Sequence, residues 1–167
     1  GSVAHGAVRR DDELDLWPAG TRVRVRDLQS HNDPRDAVAG RARLAVNLAG
    51  VPLESVFRGC ELATPGCLHA TTWLEARLAT LRMPGRTLRQ LIRARLHLAT
   101  TEVLAEVRLP APPDQPALRD VYAQIRTATP VVATWGQPFL LRDEAATHTL
   151  GGGRILRPLA RRWTTRR

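Results

Sequence analysis

Short stretches in which apolar and polar residues alternate recur along the chain. Between residues 21 and 28, Val23 and Val25 alternate with arginines, and Leu28 continues the apolar side. The same period of two runs through residues 43–48 and 93–98. Successive side chains of a β-strand point to opposite faces, so this period is typical of half-buried strands. Further strands are predicted over residues 72–81, 101–109, 121–126 and 138–142.

Proline and glycine residues separate these stretches at short intervals. Many short strands with frequent turn signals indicate an all-β sandwich or barrel. Helix formers occur in residues 74–92, but Pro84-Gly85 interrupts them, and residues 87–91 are interpreted as a connection. The four prolines in residues 109–116 predict a long hairpin loop within one barrel, with a domain boundary as the alternative. The glycines at 151–153 predict a bend between strands.

The charge of the chain is strongly positive. Its formal net charge is +9, and all 25 basic residues are arginine. Codon bias in a GC-rich genome would explain the use of arginine instead of lysine, but the excess of positive charge still attracts polyanions. Nucleic acid is therefore the first expected partner class, and an anionic membrane surface is the second. No apolar run approaches the roughly 18 residues of a spanning helix, and no secretory signal is present, so no membrane span is expected.

The sequence lacks the motifs of common catalytic sites. A Walker-type phosphate loop needs a lysine, and this chain has none. The five histidines lack metal-ligand spacing, no serine lies in a nucleophile elbow, and the two cysteines, Cys60 and Cys67, follow no zinc pattern. The acidic pair Asp143-Glu144 adjoins a turn and is expected to be solvated. We expect no catalytic activity, metal or cofactor in this chain.

Two segments resemble translational GTPases of the elongation factor Tu class. In the second domain of that class, an aliphatic-x-Gly-aliphatic turn leads to an Arg-Gly pair and then to Ala-x-Pro-Gly. Residues 40–66 match with Gly50-Val51, Arg58-Gly59 and the sequence ATPG at 63–66. Residues 139–156 (FLLRDEAATHTLGGGRIL) resemble the last hairpin of the third domain, an apolar strand ending in arginine and followed by Thr-aliphatic-Gly-x-Gly.

Within that class, the details resemble the selenocysteine-specific elongation factor (SelB type). Residues 25–34 (VRDLQSHNDP) look like its Val-Arg-x-aliphatic stretch ending in Asn-x-Pro, and residues 43–50 (RLAVNLAG) are similar to its Arg-aliphatic-Ala-Leu-Asn strand. The resemblance implies two consecutive small β-barrels. Residues 1–70 would form the second-domain barrel, incomplete because its opening strand is expected before Gly1. Residues 71–160 would form the third-domain barrel, and residues 161–167 a basic linker.

The resemblance also implies a function. The chain would bind selenocysteinyl-tRNA and help to deliver it to the ribosome at recoded UGA codons in the cytoplasm. GTP and Mg²⁺ would bind a GTPase domain outside this chain, and C-terminal winged helices would bind messenger RNA. One alternative is a tRNA-binding or docking double barrel of another translational GTPase, without selenocysteine selectivity. Another is a structural module that transmits the state of the GTPase domain to another part.

The resemblance places an aminoacyl pocket in the first barrel. Arg43 matches the family arginine near the selenocysteinyl group. A selenol is mostly ionised at neutral pH, so a fixed cation would distinguish it from a neutral serine. The alternative is an ordinary outward-facing arginine. His31 and Asn32 would border the pocket, or would simply form a turn.

In the second barrel, the candidates for contacts with tRNA phosphates and 2′-hydroxyl groups are Arg95, His97, Arg142 and Arg154. Folded RNA is recognised largely through such groups. The alternative for each residue is a place on a solvated charged face.

Overall fold

The computed structural model describes residues 1–81, 89–110 and 120–163. In these ranges the regular structure consists of thirteen β-strands and one short 3-10 helix, Leu53–Ser55. The predicted all-β fold is therefore confirmed. The chain divides into two compact units, Gly1–Cys67 and Leu68–Arg167. No helix in the described ranges is long and apolar enough to cross a membrane.

The first unit contains seven strands in two antiparallel sheets. The strands are β1 Ala7–Arg9, β2 Glu13–Trp17, β3 Thr21–Ser30, β4 Asp33–Arg35, β5 Ala37–Ala39, β6 Ala45–Ala49 and β7 Glu61–Ala63. Strand β3 is central to the larger sheet, because it pairs with β2, β4 and β6. Strand β7 pairs with β2, and β1 pairs with β5 in the smaller sheet.

Strand β3 keeps its apolar side chains in the core across a break in the alternation. Val25 and Leu28 are both buried, although an uninterrupted period of two would have buried Asp27. The register between β3 and β6 shifts between Val25 and Asp27. Such a bulge adds one residue to a strand, so the side chains that follow it point to the opposite face of the sheet. Leu28 can therefore pack with Val38 and Leu44 in the core of the first unit.

The second unit is a closed, six-stranded antiparallel barrel. Its strands are β8 Thr71–Thr80, β9 Leu91–Leu98, β10 Thr101–Arg108, β11 Val121–Val131, β12 Pro138–Arg142 and β13 Thr149–Arg157. Around the barrel the order is β10-β11-β8-β13-β12-β9. All six strands contribute inward side chains to one apolar cluster. On β9, for example, Ala94, Leu96 and Leu98 are fully buried, and burying each leucine contributes about 2 kcal/mol.

The glycine run 151–153 lies inside β13, so the prediction of a bend between strands is wrong. Glycine is needed there because the neighbouring backbone passes too close for a side chain. A Cβ on Gly153 would overlap the carbonyl oxygen of Arg77, and one on Gly151 would overlap that of Ala79. Glycine in a strand interior often marks such a close approach of another strand.

Two predicted connections fall partly outside the described residues. Residues 87 and 88 lie outside them, as does Pro84-Gly85, and Leu91 already belongs to β9. Of the predicted hairpin loop at 109–116, residues 111–116 also lie outside. The strands on either side of it, β10 and β11, pair antiparallel within the barrel.

Candidate nucleic-acid interface

Three of the four residues predicted to contact tRNA lie together on the outside of the barrel. Arg95 and His97 alternate with the buried side chains of β9 and therefore face outward. Strand β12 pairs with β9 and places Arg142 directly opposite Arg95 and Leu140 opposite His97. Residues directly opposite in antiparallel strands have Cβ atoms about 5 Å apart, so these side chains are neighbours.

Arg154 also faces outward, one strand further on and nearer the opposite end of β12 from Arg142. Strand β13 pairs with β12 and places Arg154 opposite Pro138. The Nη1 of Arg154 donates a hydrogen bond of 2.8 Å to the carbonyl oxygen of Gly136, which fixes the direction of the guanidinium group. Residues far apart in sequence are thus gathered on three adjacent strands. We call the set of Arg95, His97, Arg142 and Arg154 the basic face.

Acceptors from the protein hold part of the basic face in place. Arg95 donates from Nε to the carbonyl oxygen of Glu144 (2.6 Å) and from Nη1 to Oε1 of Glu102 (2.8 Å). The other oxygen of Glu102 lies 3.9 Å from Nδ1 of His97. Among the described residues, the buried Nε2 of His97 and the buried Nε of Arg142 have no hydrogen-bond partner. The protein therefore does not use the full hydrogen-bonding capacity of this face.

The turn between β12 and β13 is fixed by Asp143, next to the basic face. Its carboxylate accepts hydrogen bonds from the backbone N–H groups of Thr147 (2.7 Å) and His148 (3.1 Å) and from the Thr147 hydroxyl (2.7 Å). The bonds from His148 and Thr147 hold the pKa of Asp143 well below its usual range. The side chain is only 15% exposed, so the expectation of a solvated acid is wrong at this position. The signal was the Asp-x-x-x-Thr spacing, which lets the carboxylate cap its own turn.

Arg43 lies at one end of the larger sheet of the first unit. Its side chain is exposed, and its carbonyl oxygen accepts a hydrogen bond of 3.0 Å from the Ser30 hydroxyl. The N-terminal residues run alongside it, with a β-bridge between Ser2 and Arg43. Residues 2–5 and 41–43 line a shallow depression of about 410 Å³. Arg43 is therefore an accessible cation at the edge of a small cavity.

His31 and Asn32 are the two central residues of the hairpin turn that joins β3 to β4. Ser30 and Asp33 pair directly across this turn. Both turn residues have positive φ, 55° for His31 and 67° for Asn32, as a two-residue type I′ hairpin requires. Their backbone conformation fits the alternative interpretation as turn residues. The Ser30 bond brings this turn next to Arg43, although no described hydrogen bond joins either side chain to Arg43.

Two further arginines on the barrel, Arg93 and Arg126, were not predicted as site residues. Glu106 of β10 lies between Arg93 of β9 and Arg126 of β11. The guanidinium of Arg126 lies over the ring of Trp73, 5.7 Å from its centroid, in a cation–π contact. Arg93 belongs to the same alternating stretch as Arg95, so its outward position could have been predicted. The contact with Trp73 depends on the pairing of β11 with β8, which the sequence did not predict.

A buried carboxylate in the first unit was also missed. Asp15 of β2 is 7% exposed and accepts hydrogen bonds from the backbone N–H of Gly66 (3.1 Å) and from Nε of Arg22 (2.9 Å). These two bonds lower the pKa of Asp15. The first bond ties β2 to the sequence ATPG at 63–66, and the second ties β2 to β3. The sequence feature that could have revealed this buried carboxylate is an aspartate between two leucines in a strand.

Comparisons with known proteins agree with this architecture. Residues 74–162 match the family model described as the β-barrel domain of the selenocysteine-specific elongation factor. The selenocysteine-specific elongation factor of Desulfomicrobium baculatum is 28% identical over 97% of this chain and 26% of its own length. That of Escherichia coli is 28% identical over 93% of the chain and 24% of its own length. The chain thus spans about a quarter of these relatives.

Two further comparisons extend this result. Elongation factor Tu 2 of Streptomyces avermitilis is 29% identical over 65% of this chain and 29% of its own length. The crystal structure of translation elongation factor SelB from Methanococcus maripaludis, in its apo form, superposes with a TM-score of 0.75. It is 18% identical, and the match covers 94% of this chain and 39% of the other. The shared fold is therefore that of a translation factor.

The closed barrel, with the sequence matches above, defines this chain as a β-barrel portion of a translation elongation factor. The family model covers more than half of the chain. The chain belongs to the selenocysteine-specific elongation factor family.

Proposed function

We propose that this chain is the aminoacyl-tRNA-binding part of a selenocysteine-specific elongation factor. The complete factor would deliver selenocysteinyl-tRNA to the ribosome at recoded UGA codons in the cytoplasm. The observation that carries the proposal is the basic face, which gathers Arg95, His97, Arg142 and Arg154 on three adjacent strands of the family's barrel. The net charge of +9 supports an anionic partner.

The second unit would hold the acceptor and T stems of the tRNA. Double-stranded RNA has a narrow major groove that side chains cannot read, so proteins bind its phosphates and 2′-hydroxyl groups. Arginine suits both groups because its planar guanidinium can donate several hydrogen bonds at once. Glu102 holds Arg95 in a fixed direction and leaves the neighbouring Arg142 as a second cation.

The first unit would hold the charged 3′ end, with Arg43 as the residue that selects the amino acid. At neutral pH a selenol carries a negative charge, whereas the serine hydroxyl is neutral. A nearby guanidinium therefore stabilises the selenocysteinyl ester more than the seryl ester. His31 and Asn32 would present their side chains from the adjacent turn, while their backbones fix the shape of that turn.

In this proposal the chain binds RNA and catalyses no reaction. GTP and its Mg²⁺ would be held by a separate GTPase domain of the complete protein, and winged helices elsewhere would bind messenger RNA. Among the described residues, no group of three or more His, Cys, Asp or Glu side chains could hold a metal ion.

The test of selectivity compares two forms of one tRNA, charged with selenocysteine or with serine. Each is titrated into the complete factor bound to GTP, for the wild type, Arg43→Ala and Arg41→Ala. Arg41 is the matched control, because it is also exposed and lines the same depression. Losing a hydrogen bond to a charged group should reduce the preference for selenocysteine about 10- to 100-fold in Arg43→Ala alone.

Equal binding of both charged forms by the wild type would exclude selenocysteine selectivity. It would favour the second candidate, a tRNA-binding double barrel of another translational GTPase, for which the match to elongation factor Tu 2 is the supporting observation. An equal loss of preference in both variants would remove Arg43 from its proposed role and leave tRNA binding in place.

A further inference from the structure

The residues after the last strand run back across the outside of the barrel. Strand β13 ends at Arg157. The backbone N–H of Ala160 then donates a hydrogen bond of 3.1 Å to the carbonyl oxygen of Trp73 on β8. The indole N–H of Trp163 donates one of 3.0 Å to Oε1 of Glu75, also on β8. The segment 158–163 therefore contacts β8 at two points, Trp73 and Glu75.

Gln124 of β11 binds the same segment through both polar atoms of its side-chain amide. Its Nε2 donates 2.8 Å to the carbonyl oxygen of Arg161, and its Oε1 accepts 3.1 Å from the backbone N–H of Trp163. A side-chain amide that bonds one backbone acceptor and one backbone donor fixes the chain much as a strand neighbour would. The arrangement closes the segment onto two adjacent strands, β8 and β11.

The burial of Gln124 shows how closely the segment covers the barrel. Ala123 and Ile125 point into the core and are fully buried, so Gln124 lies on the outer side of β11. Its outer neighbour Tyr122 is 63% exposed, yet Gln124 is only 1% exposed. A glutamine is stable in such a place because both ends of its amide are hydrogen-bonded.

We propose that residues 158–163 form a clasp that anchors the exit of the chain to β8 and β11. Gln124 and Glu75 are its positioning residues. The last residue that the clasp fixes to the barrel is then Trp163. A flexible connection to any following domain of the complete protein would therefore begin at Trp163, and not at the end of β13. A short, fixed attachment restricts the positions of a following domain far more than a flexible linker does. The clasp lies on β8 and β11, so it leaves the basic face on β9, β12 and β13 uncovered.

Amide hydrogen exchange of this chain tests the clasp residue by residue. In the wild type the backbone amide of Trp163 should exchange more slowly than in a free peptide of residues 156–167. In Gln124→Ala it should exchange about tenfold faster, because the variant lacks two hydrogen bonds to the segment. Gln137→Ala is the matched control: its Oε1 accepts from the amide of Thr134, so only Thr134 should lose protection.

Two further results keep the proposal falsifiable. If Gln124→Ala destabilises the barrel, the variant Trp163→Ala is used instead. It removes the indole bond to Glu75 without changing a residue of the barrel, and the exchange rate of the Ala160 amide is then measured. Faster exchange at Ala160 with unchanged protection of the β9 amides supports the clasp. Exchange of wild-type Trp163 at the peptide rate, or protection that is unchanged in Gln124→Ala, overturns it. Affinity for RNA is not expected to change, so the proposed function and the clasp fail separately.

Discussion

Asp15 and Gly66 are joined by a hydrogen bond from the backbone N–H of Gly66 to the Asp15 carboxylate, 3.1 Å long. The contact connects a strand near the beginning of the first unit to the turn at its end. Strand β2 and the sequence ATPG at 63–66, which matches the family motif, are thereby held together. The bond explains how the turn formed by ATPG is held in place, because the charged Asp15 carboxylate accepts a hydrogen bond from its last residue.

This relationship predicts a pH dependence of the first unit. The pKa of Asp15 is lower in the folded chain than in the unfolded chain. The ionised carboxylate therefore stabilises the fold above the ordinary carboxyl pKa of about 3.9, and this contribution is lost as the pH falls through the folded value. We expect Asp15→Asn to be less stable than the wild type at pH 7 and to approach it in acid.

Chemical unfolding of the two proteins across this pH range measures the effect. Asp36→Asn is the control, because the Asp36 side chain is 93% exposed and its ion pair with Arg10 is solvated. A constant difference between Asp15→Asn and the wild type at every pH would show that the charge of Asp15 has no role.

The glycines of β13 predict an unusual sensitivity to one added methyl group. Gly153→Ala would place its Cβ on the carbonyl oxygen of Arg77, and β8 would have to move. Overpacking of this kind costs about 2 kcal/mol. In Gly40→Ala the Cβ meets nothing within 4 Å, so only the positive φ of 73° is unfavourable, at a cost of about 1 kcal/mol. Urea unfolding measures both values, and an equal loss in the two variants would contradict the close packing of β13.

Asn32 in the β3–β4 turn should tolerate glycine better than valine, whereas Asn47 in a strand should tolerate valine better than glycine. Asn32 has a positive φ, so Asn32→Gly should retain stability and Asn32→Val should lose about 1 to 2 kcal/mol. Asn47 lies in strand β6, where valine is favoured over glycine by up to about 1 kcal/mol. Thermal unfolding of the four variants should show this reversal. The same order of stability at both positions would contradict the turn geometry.

The alternation in the sequence predicted strands β3, β6 and β8 to β12, but it predicted neither the three-residue strands β1, β4, β5 and β7 nor every contact between strands. The alternation in β3 and β9 identified their buried faces, because a half-buried strand needs that period. The glycines at 151–153 suggested a bend, since their need for close packing comes from β8 and is not visible in β13 itself. Residues 161–167 suggested a basic linker because they lack apolar periodicity, yet residues 161–163 are attached to the barrel. Their attachment depends on side chains of other strands, Gln124 and Glu75.

The candidate site was predictable to a similar extent. The outward position of Arg95 followed from the same alternation, whereas the set of four tRNA candidates came from the family resemblance. The structure places the four on three adjacent strands. Their RNA contacts remain a prediction. The anchoring of Arg95 by Glu102 and Glu144 required the β9–β10 register and the Asp143 turn, which a single sequence does not specify.

The most direct test of the account measures tRNA binding by the complete factor over a range of salt concentrations. The proteins are the wild type, the double variant Arg95→Ala/Arg142→Ala, and the control Arg24→Ala/Arg26→Ala, which removes the same charge from exposed positions of β3. Far-ultraviolet circular dichroism verifies that each is folded. For the first variant we expect affinity about 10- to 100-fold weaker and a salt dependence reduced by about one unit per lost phosphate contact. The control should remain near the wild type, whereas unchanged affinity and salt dependence in Arg95→Ala/Arg142→Ala would contradict RNA binding by the basic face.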